Sequence, residues 1–105
     1  MLFRSAARLG SEGLHLLKKC LADVPWVWEV RGRGLMLGIE FTPTAGDGPS
    51  RGVRAMLDLL NQGYLVLPSG PGSHVLSLSP PITITDEQWE NALEAIVSAV
   101  KGQDA

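Results

Sequence analysis

The chain has 105 residues, of which 45% are hydrophobic and 19% charged, and a formal net charge of -2. A chain of this length builds one domain with one modest core, which excludes a two-domain enzyme. The near balance of nine basic and eleven acidic residues provides no positive surface for a polyanion, so we expect no nucleic-acid binding. A single cysteine and two separated histidines form neither a disulfide framework nor a metal cluster. We therefore expect no bound metal. Since no apolar run reaches the roughly 20 residues that span a bilayer, we also expect a cytoplasmic protein that binds no membrane.

The first segment of the chain has the spacing of an amphipathic helix. Apolar residues recur every three or four positions and so share one face, namely Phe3, Ala6, Gly10, Leu14, Leu17 and Leu21. The helix is expected to end near Ala22 and Asp23, before Pro25. No Ser, Thr, Asp or Asn stands before Phe3 to cap the first turn. We therefore expect the chain to begin within a helix and to be a fragment of a longer protein.

The apolar period changes to two between Trp26 and Phe41, which predicts two half-buried strands. In the first strand Trp26, Trp28 and Val30 alternate with Val27, Glu29 and Arg31, and in the second Leu35, Leu37, Ile39 and Phe41 alternate with Met36, Gly38 and Glu40. The segment Gly32-Arg33-Gly34 is predicted to be a three-residue hairpin connection, because glycine readily adopts positive φ. The two strands are then antiparallel neighbours. A loop is predicted from Thr42 to Pro49, where the apolar period is lost.

A second helix is predicted after Ser50, whose hydroxyl can cap it, and Gly63 stands where a left-handed C-terminal cap belongs. Its inward face is predicted to consist of four apolar residues, namely Val53, Met56, Leu57 and Leu60. A strand from Tyr64 to Leu67 is expected to follow at once. A turn is predicted over residues 68–72 and a short strand over residues 75–78, which ends before the Pro80-Pro81 pair.

The last helix is predicted to open with a capping box formed by Thr85 and Gln88. Its apolar stripe consists of Trp89, Leu93, Ile96, Val97 and Val100. The elements thus occur in the order helix, two strands, helix, two strands, helix. This order predicts an α+β fold in which helices pack on a small, mostly antiparallel sheet of about four strands.

The residues alone indicate no reaction centre, because serine-elbow and phosphate-loop motifs are absent from the sequence. Cys20 lies near the apolar stripe of the first helix and is expected to be a small buried residue. His15 and His74 are expected at the surface or partly packed, since no second ligand stands at a metal-binding distance in sequence. The tryptophans are expected in the core or in a subunit contact.

Three segments resemble one enzyme family. Residues 29–40 are similar to the V-R-G-x-G-L-M-x-G-[IV]-E signature in the C-terminal domain of class III pyridoxal-phosphate-dependent aminotransferases, such as ornithine, acetylornithine and 4-aminobutyrate aminotransferases. Residues 63–68 resemble the G-x-[LV]-x-x-P strand of that family, and residues 78–85 resemble its x-x-P-P-L-x-I-T segment before the final helix. The resemblance covers nearly the whole chain in the order and spacing of the family. It implies that residues 1–105 are a single domain, the C-terminal small domain of such an enzyme.

The resemblance also implies what the chain lacks. The family transfers an amino group between an amine or amino acid and an oxo acid, and a lysine of its large domain holds pyridoxal 5'-phosphate as a Schiff base. The three lysines of this chain, Lys18, Lys19 and Lys101, lie in no motif that resembles that lysine. We therefore expect no catalytic residue, no cofactor bound to this chain alone and no independent activity. The implied partners are the large domain and a homodimer partner, and we also expect the isolated domain to self-associate.

One position departs from the family pattern on the substrate side. Many members bind the substrate carboxylate with an arginine in the strand before the Pro-Pro pair, and the matching residue here is Ser77. A neutral hydroxyl cannot form the bidentate, charge-assisted pair that arginine forms. The resemblance therefore implies an enzyme that accepts an amine without this carboxylate, or that binds the carboxylate through another residue. Arg31 and Arg33 are the nearby candidates, with a salt bridge beside the hairpin and a solvated turn position as their alternative roles.

An alternative hypothesis assigns the chain no part in catalysis. A stand-alone α+β module would use its apolar surface to bind a partner. A domain taken from a larger enzyme should expose an apolar patch above the few hundred Å² typical of monomers, whereas a stand-alone module should not. We expect such a patch at the start of the first helix and on one side of the hairpin.

Overall fold

The structure of the chain is a computed structural model that describes residues 6–33, 36–42, 49–64, 66–70, 74–79 and 84–103. Three helices and four strands lie within these ranges: α1 (Ala6–Leu21), β1 (Val27–Arg33), β2 (Met36–Phe41), α2 (Arg51–Asn61), β3 (Leu67–Ser69), β4 (Val75–Leu78) and α3 (Asp86–Lys101). The predicted Phe3, the predicted loop over residues 43–48 and the Pro80-Pro81 pair lie outside the described residues.

The four strands form one sheet in the order β1-β2-β4-β3, and each neighbouring pair is antiparallel. This architecture confirms the predicted α+β fold. In the hairpin, Arg33 pairs with Met36, which leaves only residues 34 and 35 between the two strands. The predicted three-residue connection is therefore wrong, because Gly32 and Arg33 belong to β1.

The helices cover one face of the sheet. Alternate residues of the two central strands are buried on that face, namely Leu37, Ile39, Phe41, Leu76 and Leu78. The residues between them, such as Gly38, Val75 and Ser77, are only partly buried because they face the opposite side. The fold therefore has two layers, and one face of the sheet remains open to solvent.

The first and last helices meet where a tryptophan packs against a glycine. The Trp89 ring of α3 lies so close to Gly13 of α1 that a methyl group on Gly13 would come within 2.6 Å of the ring atom Cζ2. The indole Nε1 of Trp89 donates a hydrogen bond to the Leu9 carbonyl oxygen, 3.1 Å away. Trp89 and Leu9 are 3% and 0% exposed. This contact joins the two ends of the chain in one helical layer, and it places Trp89 in the core as predicted.

The helix caps form as their residues predict. Ser50 Oγ accepts from the Val53 N–H at 3.2 Å, and Gly63 adopts a φ of 90°. In the capping box, Thr85 Oγ1 accepts from the Gln88 N–H at 3.1 Å, while the Gln88 side chain accepts from the Thr85 N–H at 2.9 Å. These caps are local in sequence, so three helix termini were predictable without knowledge of the fold.

The inward face of α2 differs from the prediction. Its buried residues are Arg51, Gly52, Ala55 and Leu59. Leu57 and Leu60, predicted to face the core, are 48% and 52% exposed, while Val53 and Met56 are partly buried. Gly52 has no side chain and Ala55 has only a methyl group, so the packed face of α2 is not its most apolar one.

Two strands also depart from the predicted pattern. The register of β1 shifts between Val27 and Glu29, and Trp28 is 71% exposed there, so the regular alternation predicted from Trp26 to Arg31 is wrong at this point. The strand expected from Tyr64 to Leu67 occurs instead at Leu67–Ser69. It includes Pro68, which an edge strand tolerates because one side of its backbone has no partner strand.

A buried arginine connects the start of α2 to the end of α3. The Arg51 guanidinium lies 4.9 Å from the centre of the Trp26 ring, and the Gln103 side chain donates to the Arg51 carbonyl oxygen at 3.1 Å. Trp26 in turn donates from Nε1 to the Val100 carbonyl oxygen at 2.8 Å. Burial lowers the pKa of Arg51, and the positive charge of Arg54 lowers it further.

We predict that Gly13→Ala destabilises the domain. The added methyl group would collide with the buried Trp89 ring and with Leu37, and overpacking of this kind costs about 1 to 3 kcal/mol. Alanine favours a helix over glycine by only about 1 kcal/mol, so the collision outweighs the gain. Urea denaturation followed by circular dichroism measures the difference. Ser11→Ala, at an exposed position of the same helix, is the matched control and should not lower stability. A Gly13→Ala variant as stable as the wild type would contradict the packing of α3 on α1.

Candidate functional site

The open face of the sheet contains a hollow of about 450 Å³. Its lining includes Arg31 of β1, Gly38 of β2, Ser77 of β4 and Ser69 of β3. The volume is within the range of small-molecule sites. Because strands from both edges of the sheet contribute, the antiparallel pairing of all four strands creates this hollow.

Two of the predicted substrate-side residues meet in one row across the sheet. Arg31 pairs with Gly38, and Gly38 pairs on its other side with Ser77. Neighbouring strands are about 4.8 Å apart, so the backbones of Arg31 and Ser77 are separated by roughly 10 Å. Gly38 has no side chain to fill the space between them. A Cβ at Gly38 would lie in ordinary contact with Val75 and Arg31, at 3.7 and 3.8 Å, so this glycine keeps the floor of the hollow open.

Arg31 is held by two carboxylates on the same face. Its Nη1 donates to Glu40 Oε1 at 2.5 Å and to Glu29 Oε1 at 3.3 Å. The hydrogen bond to Glu40 and then that to Glu29 raise the pKa of Arg31 above its ordinary value. The guanidinium is thus a permanent cation whose charge is more than balanced by its neighbours. In this arrangement Arg31 is not a free anchor for an incoming carboxylate.

Ser77 forms a polar pair with a second hydroxyl. Its Oγ lies 2.8 Å from Ser69 Oγ, across the β3-β4 ladder. A hydroxyl pair of this kind can donate and accept hydrogen bonds, and it carries no charge. The third predicted residue, Arg33, has its backbone in β1 opposite Met36, and its side chain lies outside the described part of the chain.

The lysines occupy positions where a Schiff base is not favoured. Lys18 and Lys19 lie in the last turn of α1 and Lys101 ends α3, and all three side chains are exposed. A Schiff-base lysine needs a desolvated or cationic surrounding that lowers its pKa. The lysines of this chain therefore do not fit the role of holding pyridoxal phosphate.

The remaining ligand-type residues are dispersed. Cys20 is a free thiol and is partly rather than fully buried, so the expected burial is only partly met. His15 is exposed, and His74 is partly buried with its carbonyl oxygen accepting from the Phe41 N–H at 2.8 Å. Within the described ranges, no three His, Cys, Asp or Glu residues are placed to hold a metal ion. In the same ranges no helix has the length and apolar character to cross a membrane.

Comparison with known proteins identifies the family. Residues 1–100 match the family model of class-III aminotransferases. The chain belongs to this family. Acetylornithine aminotransferase from Bacillus subtilis (strain 168) is 41% identical over 96 residues, which is 90% of this chain and 23% of the relative. The resemblance inferred from the three sequence segments is thereby confirmed.

Solved structures of the family contain the same fold. The ornithine aminotransferase of Toxoplasma gondii superposes with a TM-score of 0.80 at 32% identity, covering 92% of this chain and 22% of that one. An Arthrobacter phospholyase in complex with phosphoethanolamine superposes with a TM-score of 0.83 at 25% identity, covering 94% of this chain and 24% of that one. The chain thus spans less than a quarter of the length of the relatives it matches. The two structures also show that this domain architecture occurs in enzymes with different reactions.

Sequence reasoning gave a salt bridge beside the hairpin as an alternative role of Arg31, which the structure shows, but it did not name the partner carboxylates. Glu29 and Arg31 are two residues apart, which places them on one face of a strand, and the hairpin register adds Glu40 from the next strand. That signal was present in the sequence. Ser69 had no such signal, because it was expected in a turn and its hydrogen bond with Ser77 depends on where β3 pairs with β4.

Proposed function

We propose that this chain is the C-terminal small domain of a pyridoxal-phosphate-dependent class III aminotransferase, and that it acts only together with the large domain and a partner subunit. The match of residues 1–100 to the family carries the proposal, together with the small share of each relative that the chain covers. The cofactor lysine would come from the large domain, because the three lysines here are exposed on helix ends. The assembled enzyme would transfer an amino group between an amine or amino acid and an oxo acid in the cytoplasm.

The exposed residues of the hairpin support a covering partner. Trp28 and Met36 are 71% and 65% exposed. Large apolar side chains that form one contiguous exposed surface are typical of sites that another protein contacts. The expected patch on one side of the hairpin stays a prediction. Trp28 lies beside α1 and Met36 beside the hollow, and we assign both residues to contacts with the large domain. The expected patch at the start of α1 involves residues outside the described part of the chain.

A chimeric enzyme tests this function. The 96-residue segment of the Bacillus subtilis relative that matches this chain would be replaced by the chain itself. We expect the chimera to transaminate acetylornithine at a reduced rate, and the isolated chain and a relative without the segment to be inactive. Steady-state kinetics with a coupled assay measures all three. A folded chimera that binds pyridoxal phosphate but does not transaminate would reject the proposal.

We further propose that the hollow on the open sheet face contacts the substrate and provides hydroxyl groups where many relatives provide a guanidinium. Ser69 and Ser77 offer a neutral pair, and Arg31 is occupied by Glu29 and Glu40. The described charged side chains of this face therefore sum to a net negative charge. Such a surface favours an amine donor whose group at this position is neutral or cationic rather than a carboxylate.

The substitution Ser77→Arg in the chimera tests this assignment. A charge-assisted hydrogen bond contributes about 1.5 to 3 kcal/mol, so the KM for an α-amino acid donor should fall by roughly tenfold or more. Ser77→Met has a similar length without the charge and serves as the control, with no expected gain. An unchanged KM in the arginine variant would place the substrate carboxylate elsewhere.

A further inference from the structure

A glycine stands in the middle of a central strand of the sheet. Gly38 lies in β2, where it pairs with Arg31 of β1 and with Ser77 of β4. Glycine inside a strand weakens the strand, because it loses more backbone freedom on folding than other residues and has no side chain to pack. It usually marks a bulge or bend, or a place where a ligand or another backbone comes close. Each of these causes predicts a different environment for Gly38.

The backbone at Gly38 is that of an ordinary strand. Both ladders of β2 run from Leu37 to Ile39 without a shift in register. The described glycines with positive φ are Gly63 and Gly70. Neither a bulge nor a left-handed conformation therefore requires glycine at this described position.

The packing around Gly38 also leaves room for a side chain. Among the described residues, a Cβ at position 38 would meet the Val75 side chain at 3.7 Å and the Arg31 side chain at 3.8 and 3.9 Å, which are ordinary contacts. Gly13 differs, because a Cβ there would come within 2.6 Å of the Trp89 ring. Close packing within the described part of the domain thus explains Gly13 but not Gly38.

The remaining cause is a ligand or another backbone beside Gly38, and the lining of the hollow favours a ligand. Gly38 lines this concave space of about 450 Å³ together with Ser69 and Ser77. The two serine hydroxyls lie 2.8 Å apart and can donate and accept hydrogen bonds. A concave space with a few convergent polar groups is typical of a small-molecule site. We therefore expect a small molecule, rather than a segment of protein, next to Gly38.

We propose that Gly38 determines the size of the group that enters the hollow. The proposal rests on the substrate contact of the hollow proposed above. Without a side chain at position 38, the space between Arg31 and Ser77 accepts a bulky end group of the amine donor. This group is uncharged, because hydroxyls line one side of the space and Arg31, on the other side, is already paired with Glu29 and Glu40. An acylated amine is an end group of this kind.

Acyl donors of graded size test the proposal in the chimera described above. Ornithines that carry a formyl, acetyl or butyryl group on the α-amino nitrogen have the same charge and differ in size. Gly38→Leu should lower kcat/KM for the butyryl donor, relative to the formyl donor, by about tenfold, because the leucine takes the space that the larger group needs. Gly38→Ala should lower this ratio by less. The matched control is Ser11→Leu, which adds the same side chain at an exposed position of α1 and should leave the ratio unchanged.

The response of the chimera separates the role of Gly38 from other causes. An unchanged ratio in Gly38→Leu would overturn the proposal, and so would an unsubstituted chimera that accepts the formyl but not the butyryl donor, because residue 38 would then not limit the donor. An equal loss of kcat/KM for all donors would show that the large domain packs against Gly38 and would also overturn it. A folded, unsubstituted chimera that is inactive with every donor would reject the proposed function itself, and the role of Gly38 with it.

The stability of the 105-residue chain tests the role of Gly38 without any ligand. Because the described fold has room for a methyl group at this position, Gly38→Ala should lower the equilibrium constant for unfolding about two- to fivefold. Gly13→Ala is the contrasting variant, since its added methyl group collides with Trp89 and should raise that constant. Urea denaturation followed by circular dichroism compares the two. A loss of stability in Gly38→Ala would show that the domain itself needs this glycine and would overturn the proposal.

Discussion

The arrangement of the domain depends on the contact between Trp89 and Gly13. The indole ring lies against the helix backbone only because residue 13 has no side chain, and Nε1 satisfies the Leu9 carbonyl oxygen at 3.1 Å. The contact holds α3 on α1 at the level of Leu37 in the sheet. Since the helices pack on one side, the other side of the sheet stays free. The buried residues Leu37, Ile39 and Leu76 face the helices, and the hollow lies on the opposite, open face.

The chemistry of the open face follows from four paired strands. Gly38 keeps the space between Arg31 and Ser77 open, two carboxylates neutralise Arg31, and the Ser69-Ser77 hydroxyl pair adds a neutral hydrogen-bonding site. These groups can orient a ligand by hydrogen bonds. None of them has the activated nucleophile or base that a reaction centre needs. We propose that this surface contacts a ligand that another part of an enzyme holds.

Features with local causes could be predicted from the sequence, and features with tertiary causes could not. The caps at Ser50 and Thr85 depend on residues within one turn, and the hairpin pattern predicted β2 correctly. The buried face of α2 was predicted wrongly. Hydrophobicity shows which face of a helix is the most apolar, but it does not show which face packs against the rest of the domain. The shift at Trp28 and the late start of β3 depend on pairing with distant strands. In the site, Ser77 was predicted from a family pattern and Arg31 as a nearby candidate, whereas their common row and the role of Ser69 required the sheet order.

We propose that this chain supplies a folded domain of a class III aminotransferase and that the lysine that holds the cofactor belongs to the large domain. An absorbance titration of the isolated, folded chain with pyridoxal phosphate, followed by borohydride reduction and peptide mapping, tests it most directly. We expect no saturable spectral change and only slow, unselective labelling of the exposed Lys18, Lys19 and Lys101. A saturable absorbance band, with the label on one lysine and loss of the band when that lysine is replaced by methionine, would contradict it.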